Sequence, residues 1–356
     1  MSHALHFIVP GDPAQRTGGY LFDARIVNEL RALGWTVEVT GLEGRFPLAD
    51  ETARGSMRAT LAALADQSLV VIDGLALGAV PDAIAEQARR LKLVALVHHP
   101  LADETGLDED QQAHLLAGER QALAYCQAVL VTSAFTARRL QALGLTRQMP
   151  MVIEPGVDRS EPAPAARARR ETGTEPDSEN LLCVASLTPR KGQDLLLSAL
   201  ADLCHLPWRC CLSGSDQRAP AFAAALRHQV ARLDLAARVE MPGERDPAEL
   251  EADYRWASVC VLPSHYEGYG MVVTEALARG LPVISTTGGA LADTVPEETG
   301  LRVPPGNREA LAKALHTWLT DRALRQRCTR AALARRERLP TWRDSAHRFA
   351  QALQST

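Results

Sequence analysis

Short apolar segments alternate with segments of helical periodicity along most of this chain, and no other feature constrains the fold as strongly. Apolar strands that are separated by helices are typical of a parallel sheet covered by helices on both faces. The strand-like segments of the first half are Leu5–Val9, Thr36–Thr40, Leu69–Asp73, Leu93–Val97, Val129–Thr132 and Met151–Ile153. This half is therefore predicted to form one α/β unit.

The segment between the first two strands shows the helical periodicity most clearly. Its apolar residues recur at the spacing of one helix face, and Gly34 follows as a stop signal. These residues are Phe22, Ile26, Val27, Leu30 and Leu33. The pattern predicts an amphipathic helix that packs on the sheet.

The alternation resumes in the second half and predicts a second α/β unit. The strands are expected at Leu181–Leu187, Arg209–Ser213, Val239–Met241, Ser258–Pro263, Val283–Thr286 and, more weakly, Leu301–Val303. The helices are expected at Gln193–Cys204, Pro220–Leu233, Pro247–Trp256, Val272–Arg279 and Glu309–Leu319. Asp246 before Pro247 is typical of a helix start, with an N-cap followed by proline in the first turn.

Residues 155–180 interrupt the pattern, because this segment is polar and rich in proline. It is predicted to be a linker or domain boundary, and Arg167, Arg169 and Arg170 are interpreted as a solvated helix face. The fold class is therefore α/β, with two doubly wound, Rossmann-like domains at residues 1–160 and 175–340. Thr341 is expected to cap a last amphipathic helix, 341–356.

Composition excludes several classes of protein. Lys and Arg number 39 against 43 Asp and Glu, a net charge of −4, which argues against a nucleic-acid partner. No apolar run approaches the roughly 20 residues that span a bilayer. The seven cysteines lack Cys-x-x-Cys spacing and His-Glu-x-x-His is absent, so reduced thiols and no bound metal are expected. The first residues lack the pattern of a signal peptide, and a cytoplasmic location is expected.

Residues 262–283 are the most informative segment. They are predicted to be a buried strand, a glycine-containing loop, a helix and another buried strand. Gly268 and Gly270 let the backbone approach a ligand, and the free N–H groups of the next helix suit a phosphate. Glu267 and Glu275 bracket the loop, and a carboxylate can accept hydrogen bonds from vicinal hydroxyls. The simpler alternatives are that Glu275 pairs with Arg279 and that Glu267 is a solvated loop residue.

Three further turns follow predicted strands. Arg190, Lys191 and Gly192 form a basic turn whose charges suit a diphosphate. Gly18 and Gly19 lie between the first strand and the first helix, where a loop could approach a ligand. His98 and His99 follow a strand, at the edge of the sheet where ligands bind in such folds.

The segment 262–283 resembles the donor-binding signature of family 4 of the retaining nucleotide-sugar glycosyltransferases, which have the GT-B fold, and carries their Glu-x7-Glu motif. The resemblance implies two such domains facing a central cleft, with the last helix crossing back to the first domain. It implies that Glu267 binds the donor sugar and Glu275 the ribose. The loop and helix start between them would bind sugar and diphosphate through Gly268, Tyr269, Gly270, Met271 and Val272.

The remaining matches follow the order of that family. The basic turn resembles its phosphate-binding element, although Ser186 stands where the family commonly has arginine, so Arg190 and Lys191 would neutralise the diphosphate. One histidine of the pair resembles the active-site histidine; which one stays open, and we favour His99. Gly243 lies where a base-binding loop is expected, and Gly18 and Gly19 would face the donor phosphates or the acceptor.

The resemblance therefore implies a retaining, metal-independent glycosyltransferase that needs no cofactor. Its partners would be a nucleotide sugar and an acceptor hydroxyl on a small molecule, a glycan or a lipid-linked glycan. Two alternatives remain: a sugar-nucleotide epimerase of the same fold, and a catalytically silent subunit. The basic region 322–343 is interpreted as a solvated helix face, and a peripheral contact with the inner face of a membrane stays open as the alternative.

Overall fold

The computed structural model describes residues 4–104 and 106–356. The chain forms two compact units, Met1–Gly156 together with Pro340–Thr356, and Val157–Leu339. Each unit contains one sheet, and all its neighbouring strands pair in parallel. The α/β fold with two doubly wound units is therefore confirmed. Residues 1–3, where the first predicted domain begins, lie outside the described residues.

The first unit has the strand order β2-β1-β3-β4-β5-β6 across its described residues. The strands are β1 (Ala4–Pro10), β2 (Thr36–Leu42), β3 (Leu69–Asp73), β4 (Lys92–Val97), β5 (Ala128–Val131) and β6 (Met151–Val152). The order reverses direction at β1 and β3, which makes the carboxyl ends of these strands a switch point. The central strands β3 and β4 are almost completely buried, as their apolar sequences predict.

Helices cover both faces of this sheet. They are α1 (Gly18–Ala32), α2 (Glu51–Ala62), α3 (Gly74–Leu77), α4 (Pro81–Gln87), α5 (Glu109–Leu123) and α6 (Ala134–Ala142). On α1 the residues Phe22, Ile26, Val27 and Leu30 are buried, as predicted, but Asp23 is buried with them. A buried carboxyl on an apolar helix face needs a partner, and that partner belongs to the site described below.

The last helix of the chain belongs to the first unit. This helix starts after Thr341, whose hydroxyl and the Asp344 side chain form a reciprocal capping box. It packs against α1, and Phe349 stacks on Phe7 with ring centroids 6.5 Å apart. Ser345 also donates a 2.7 Å hydrogen bond to the carbonyl of Glu154. The final 17 residues thus complete a core that begins at the other end of the chain.

The second unit repeats this design with the strand order β12-β11-β10-β7-β8-β9. The strands are β7 (Glu179–Val184), β8 (Trp208–Ser213), β9 (Val239–Gly243), β10 (Val259–Leu262), β11 (Val283–Thr286) and β12 (Gly300–Val303). Each predicted strand is present, with its ends moved by a few residues. The largest shift is at Leu187, because the strand ends at Val184 and the following residues enter a turn.

The helices of the second half begin close to their predicted starts. They are α7 (Pro164–Glu171), α8 (Gln193–Ala201), α9 (Pro220–Arg232), α10 (Pro247–Trp256), α11 (Met271–Ala278), α12 (Leu291–Thr294), α13 (Arg308–Thr320), α14 (Arg322–Arg336) and α15 (Trp342–Gln354), the last being the helix of the first unit. Asp246 is the N-cap of α10 and forms a capping box with Glu249.

The prediction that residues 155–180 are a linker with solvated arginines is wrong for Arg169. This side chain is fully buried on α7 and donates hydrogen bonds to Glu175, at 2.9 Å, and to Glu179. Arg325 donates to the same Glu175 carboxylate at 2.9 Å. A polar sequence therefore packs as part of the second unit, because the charges of the two arginines are matched by the two glutamates. Arg167 and Arg170 are exposed.

The described residues contain no helix long and apolar enough to cross a bilayer. All seven cysteines are free thiols.

Candidate functional site

In the second unit, a buried carboxylate lies in the loop that joins β10 to α11. Only 7% of Glu267 is exposed. Its Oε1 accepts hydrogen bonds from Lys191 Nζ at 2.6 Å and from Ser264 Oγ at 2.7 Å. Its Oε2 lies 3.5 Å from Arg190 Nη1. The alternative of a solvated Glu267 is therefore wrong, because the basic turn and the loop cover it.

The charges around Glu267 decide its protonation. Burial alone would raise the pKa of Glu267, but the charges of Lys191 and Arg190 and the hydrogen bonds outweigh burial and lower it. The carboxylate is therefore ionised at neutral pH. One negative charge beside two positive ones leaves the cluster with a net positive charge, which suits a phosphate.

Hydrogen bonds to backbone carbonyls hold the basic turn of Arg190, Lys191 and Gly192 against the signature loop, which joins β10 to α11. The His265 N–H donates to the Arg190 carbonyl at 2.8 Å, and Arg190 Nη1 donates to the Tyr266 carbonyl at 2.7 Å. Gly192 adopts φ +66°, and a Cβ there would lie 2.3 Å from the Pro263 carbonyl oxygen. The basic turn packs so closely against this loop that only glycine fits at position 192.

The helix after this loop begins as predicted. Gly270, at φ +86°, is the N-cap of α11, and a Cβ added at this position would lie 2.7 Å from Leu291 Cδ2. The first residues of α11, Met271 and Val272, are half-buried. On the other side of the loop, Ala290 N–H donates to the Glu267 carbonyl at 2.8 Å. Gly268 and Tyr269 complete this loop.

Ser186 follows β7, and Gly243 is the last residue of β9, two strands away in the same sheet. The Ser186 carbonyl accepts a 3.0 Å hydrogen bond from the buried side chain of Gln193. Gly214, which follows β8, donates its N–H to the Gly243 carbonyl at 2.9 Å. Nothing in these contacts names a base, so the ligand-binding roles of Ser186 and Gly243 stay predictions.

Glu275 does not form the side-chain ion pair with Arg279 that was one alternative. Its Oε2 accepts a 2.7 Å hydrogen bond from the hydroxyl of Tyr254, a residue of α10. Arg279 instead donates to the backbone carbonyl of Glu275 at 2.8 Å and to the Glu251 carboxylate at 2.9 Å. The half-buried Glu275 thus has a fixed orientation.

In the first unit, a histidine lies between two buried carboxylates at the sheet's switch point. His98 Nε2 is 3.1 Å from Asp23 Oδ1 and 3.4 Å from Asp73 Oδ2. Asp23 comes from α1 and Asp73 from the end of β3. A Cβ on Gly19 would lie 3.2 Å from the imidazole, so Gly19 brings the start of α1 against His98.

The two carboxylates keep His98 protonated. Burial alone would lower the pKa of His98, but the charges and hydrogen bonds of Asp23 and Asp73 raise it to about 10. Burial raises the pKa of Asp23 to about 6, against the effect of the His98 charge. At pH 7 these pKa values give a protonated His98 beside an ionised Asp23.

Among the described residues, this cluster is also the one set of side chains spaced to hold a metal ion. The ligand atoms of Asp23, Asp73 and His98 lie within 4.8 Å of one another. One oxygen of Asp23, Oδ2, is buried without a hydrogen bond to any described residue. That no metal is needed stays a prediction.

An Asp-x-Asp sequence can indicate a bound Mg²⁺ or Mn²⁺, and this chain contains one at Asp108-Glu109-Asp110, where it begins a helix. Asp108 is the N-cap of α5 and accepts a 2.8 Å hydrogen bond from the Gln111 N–H. The capping box accounts for this acidic run.

The two neighbouring histidines have different partners. His99 Nε2 lies 2.5 Å from Glu104 Oε1, whereas His98 contacts Gly19 beside the start of α1 at Gly18. The preference for His99 as the functional residue stays a prediction, and the geometry now makes His98 the stronger candidate.

Sequence reasoning missed four residues that orient this machinery: Asp23, Asp73, Ser264 and Tyr254. Two of them left a signal: Asp23 is a charged residue on an otherwise apolar helix face, and Asp73 is the charged last residue of an apolar central strand. Tyr254 meets Glu275 through a tertiary contact, whereas Ser264 contacts Glu267, three residues further along the same loop.

Comparison with known proteins agrees with this geometry. Residues 165–335 match the family of group 1 glycosyl transferases. This segment holds the basic turn, the Glu267 loop and Glu275. The family match therefore falls on the second unit, where the sequence signature lies.

Curated relatives extend the similarity. A D-inositol 3-phosphate glycosyltransferase of Kineococcus radiotolerans is 34% identical over 238 residues, covering 61% of this chain and 55% of that protein. The lipopolysaccharide core biosynthesis mannosyltransferase LpsB of Rhizobium meliloti is 29% identical over 204 residues, 55% of this chain and 56% of that protein. The chain spans about half the length of the curated relatives it matches.

Solved structures match this chain over almost its whole length. Sucrose-phosphate synthase of Thermosynechococcus elongatus superposes with a TM-score of 0.81 at 25% identity, over 99% of this chain and 98% of that one. HepE of Anabaena, solved with UDP, matches with a TM-score of 0.73 at 20% identity, over 99% of this chain and 100% of that one. The fold is GT-B.

Proposed function

We propose that this protein is a retaining, metal-independent glycosyltransferase of family 4 that moves a sugar from a nucleoside diphosphate to an acceptor hydroxyl. The observation that carries the proposal is Glu267, buried and ionised between Lys191 and Arg190 in the signature loop. A fixed carboxylate suits sugar hydroxyls, and adjacent cations suit a diphosphate.

The donor class follows from the second unit. Lys191, Arg190 and the N-terminus of α11 offer positive charge and free N–H groups to phosphate oxygens, and Glu275 offers a carboxylate to a ribose. HepE, which is similar in fold, has also been solved with UDP-glucose, so we place UDP-glucose first in the donor panel.

The reaction breaks the bond between the anomeric carbon and the diphosphate oxygen, and forms a bond from that carbon to the acceptor oxygen. The leaving diphosphate takes the electron pair, and its developing charge is stabilised by Lys191 and Arg190. We propose that the acceptor attacks from the same face and that its proton passes to the leaving phosphate. Retention of configuration follows from this front-side attack.

Metal independence rests on the cations that the chain supplies. Two basic side chains and a helix N-terminus perform the charge neutralisation that Mg²⁺ or Mn²⁺ performs elsewhere. We expect turnover to survive EDTA. Complete loss with EDTA that Mn²⁺ restores would contradict this part of the proposal and direct attention to Asp23, Asp73 and His98.

The acceptor is proposed to bind at the first unit. His98 and Gly19, at the start of α1, lie at the carboxyl ends of the strands of that sheet, where ligands bind in such folds. Curated relatives are named for a phosphorylated inositol and for a lipopolysaccharide core, so the acceptor panel includes a phosphorylated polyol and a lipid-linked glycan.

A peripheral membrane contact is proposed for α14. The exposed Arg327, Arg330 and Arg335 lie on this helix, which has no acidic residue between Asp321 and Glu337. We expect co-sedimentation with phosphatidylglycerol vesicles and none with neutral vesicles. We also propose a cytoplasmic location, which the seven free thiols fit.

The test is a donor panel with and without acceptors, read by nucleoside diphosphate release and by product anomer. Turnover that needs an acceptor and keeps the donor's anomeric configuration is expected. Conversion of the donor sugar without any acceptor would favour the epimerase. Binding of a nucleoside diphosphate without turnover of any donor would favour a silent subunit.

A further inference from the structure

We propose that Tyr254 is a positioning residue, which aims the Glu275 carboxylate at the ribose of the bound nucleotide and thereby sets nucleotide affinity from a helix outside the signature segment. The inference rests on the proposed function and deepens it. Tyr254 lies on α10, and Glu275 lies on α11.

The geometry starts from a phenol that is completely buried. Tyr254 has no exposed surface, and its hydroxyl donates a 2.7 Å hydrogen bond to Glu275 Oε2. A buried hydroxyl without a partner is costly, and a hydrogen bond to a charged acceptor is among the stronger ones. The pair is therefore bound tightly enough to fix the rotamer of Glu275.

One guanidinium holds both members of the pair. The Arg279 guanidinium carbon lies 4.2 Å from the centroid of the Tyr254 ring, a cation–π contact. The same side chain donates to the backbone carbonyl of Glu275 at 2.8 Å and pairs with Glu251. Tyr254 and Glu275 are thus part of one network that ties α10 to α11.

The network divides the two oxygens of Glu275 between protein and ligand. Oε2 is taken by Tyr254, and Oε1 makes no hydrogen bond to any described residue. Burial, followed by the charge of Glu275, raises the pKa of the phenol well above its ordinary value, so it remains a donor at neutral pH. Oε1 is then preset to accept from the ribose hydroxyls, and less rotamer entropy is lost on binding.

The experiment compares two ligands on matched variants. UDP and 2′,3′-dideoxy-UDP are titrated calorimetrically onto wild type, Tyr254→Phe, Glu275→Gln and Tyr125→Phe. Tyr254→Phe removes only one hydroxyl, and Tyr125 is an exposed tyrosine of the first unit. Thermal melting of each variant reports whether it is folded.

We expect Tyr254→Phe to weaken UDP binding about tenfold and the dideoxy ligand much less, so that the preference for ribose shrinks. Saturating kcat should change less than affinity, and Tyr125→Phe should match wild type. A general packing defect would weaken both ligands equally.

The outcomes separate the two proposals. If Tyr254→Phe keeps the full preference for ribose while Glu275→Gln loses it, the inference about Tyr254 is wrong and the proposed function stands. If Tyr254→Phe does not fold, Glu251→Gln loosens the network through Arg279 and should reduce the same preference by a smaller factor; an unchanged preference would overturn the inference. If wild type binds neither UDP nor any other nucleoside diphosphate, the proposed function itself fails.

Discussion

Each of the two units has a cluster of charged side chains at the carboxyl ends of its strands, and the two clusters have net charges of opposite sign. In the first unit one cation, His98, lies between two carboxylates, those of Asp23 and Asp73. In the second unit one carboxylate, Glu267, lies between two cations, those of Lys191 and Arg190. The same fold therefore supports a site with excess negative charge and a site with excess positive charge.

This difference separates two kinds of task. Excess positive charge around Glu267 can be compensated by a diphosphate that arrives with the donor. Excess negative charge around His98 fixes the protonation state of one imidazole and leaves no free cation. We therefore expect the Glu267 cluster to bind the charged phosphates of a ligand. The His98 cluster is expected to orient and polarise the ligand group that lies beside it.

The clusters should also fail at opposite ends of the pH scale. The Glu267 pKa is lowered on folding, so its stabilising contribution exists above about pH 4.5 and is lost on acidification. The His98 pKa is raised from 6.5 to about 10, so its contribution is complete below pH 6.5 and is lost as pH rises through about 10.

The largest expected effect is on the positive cluster. Lys191→Ala should lower kcat/KM at least 10²-fold, about 2.7 kcal/mol, because the leaving diphosphate loses a partly buried cation. Arg190→Ala should also reduce it, since Arg190 is the second cation beside Glu267. Steady-state kinetics with the preferred donor measure both, and near-normal activity in both variants would place the phosphates elsewhere.

Next in size is the contrast between the two glutamates of the signature. Glu267→Gln should lower kcat at least tenfold with a small change in nucleotide affinity, because hydroxyls of the reacting sugar move as the transition state forms. Glu275→Gln should weaken nucleoside diphosphate binding more than kcat. Single-turnover rates and calorimetric titration separate the two effects. Wild-type behaviour of both variants would contradict the signature interpretation.

A substitution in the negative cluster of the first unit should change the protonation of His98 more directly than it changes activity. Asp23→Asn should lower the His98 pKa by at least about one unit, because one of two carboxylates within hydrogen-bonding distance loses its charge. Imidazole ¹⁵N shifts recorded between pH 6 and pH 10 measure the change. Asp103→Asn is the control, since Asp103 pairs with Arg139 rather than with His98. An unchanged titration would mean that Asp23 does not set the His98 charge.

The smallest expected effect is at the position where the sequence departs from the family pattern. Ser186→Ala should cost less than tenfold in kcat/KM, because Arg190 already lies at the Glu267 cluster and Ser186 offers one hydroxyl. A larger loss would give Ser186 a direct role with the phosphates. Kinetics of Ser186→Arg complete the series, and a gain there would show that a third cation still improves the site.

Local patterns by themselves determined the fold. The apolar strands and helical periodicities predict both sheets because burial of a strand or a helix face depends on residues that are neighbours in sequence. The same holds for Glu267 and Glu275, whose spacing on one loop and helix is a local property. The capping residues Asp246 and Thr341 likewise act within one turn.

Only the tertiary structure decided which charges are buried and what they meet. Asp23 lies on α1, Asp73 ends β3 and His98 follows β4. Tyr254 reaches Glu275 from another helix. Arg169 lies in a polar segment that is typical of solvated residues, and yet its side chain is fully buried, because it forms ion pairs with Glu175 and Glu179. The energy of a buried charge depends on which partners the fold brings within hydrogen-bonding distance, and the sequence separation of two charges does not show whether they will meet.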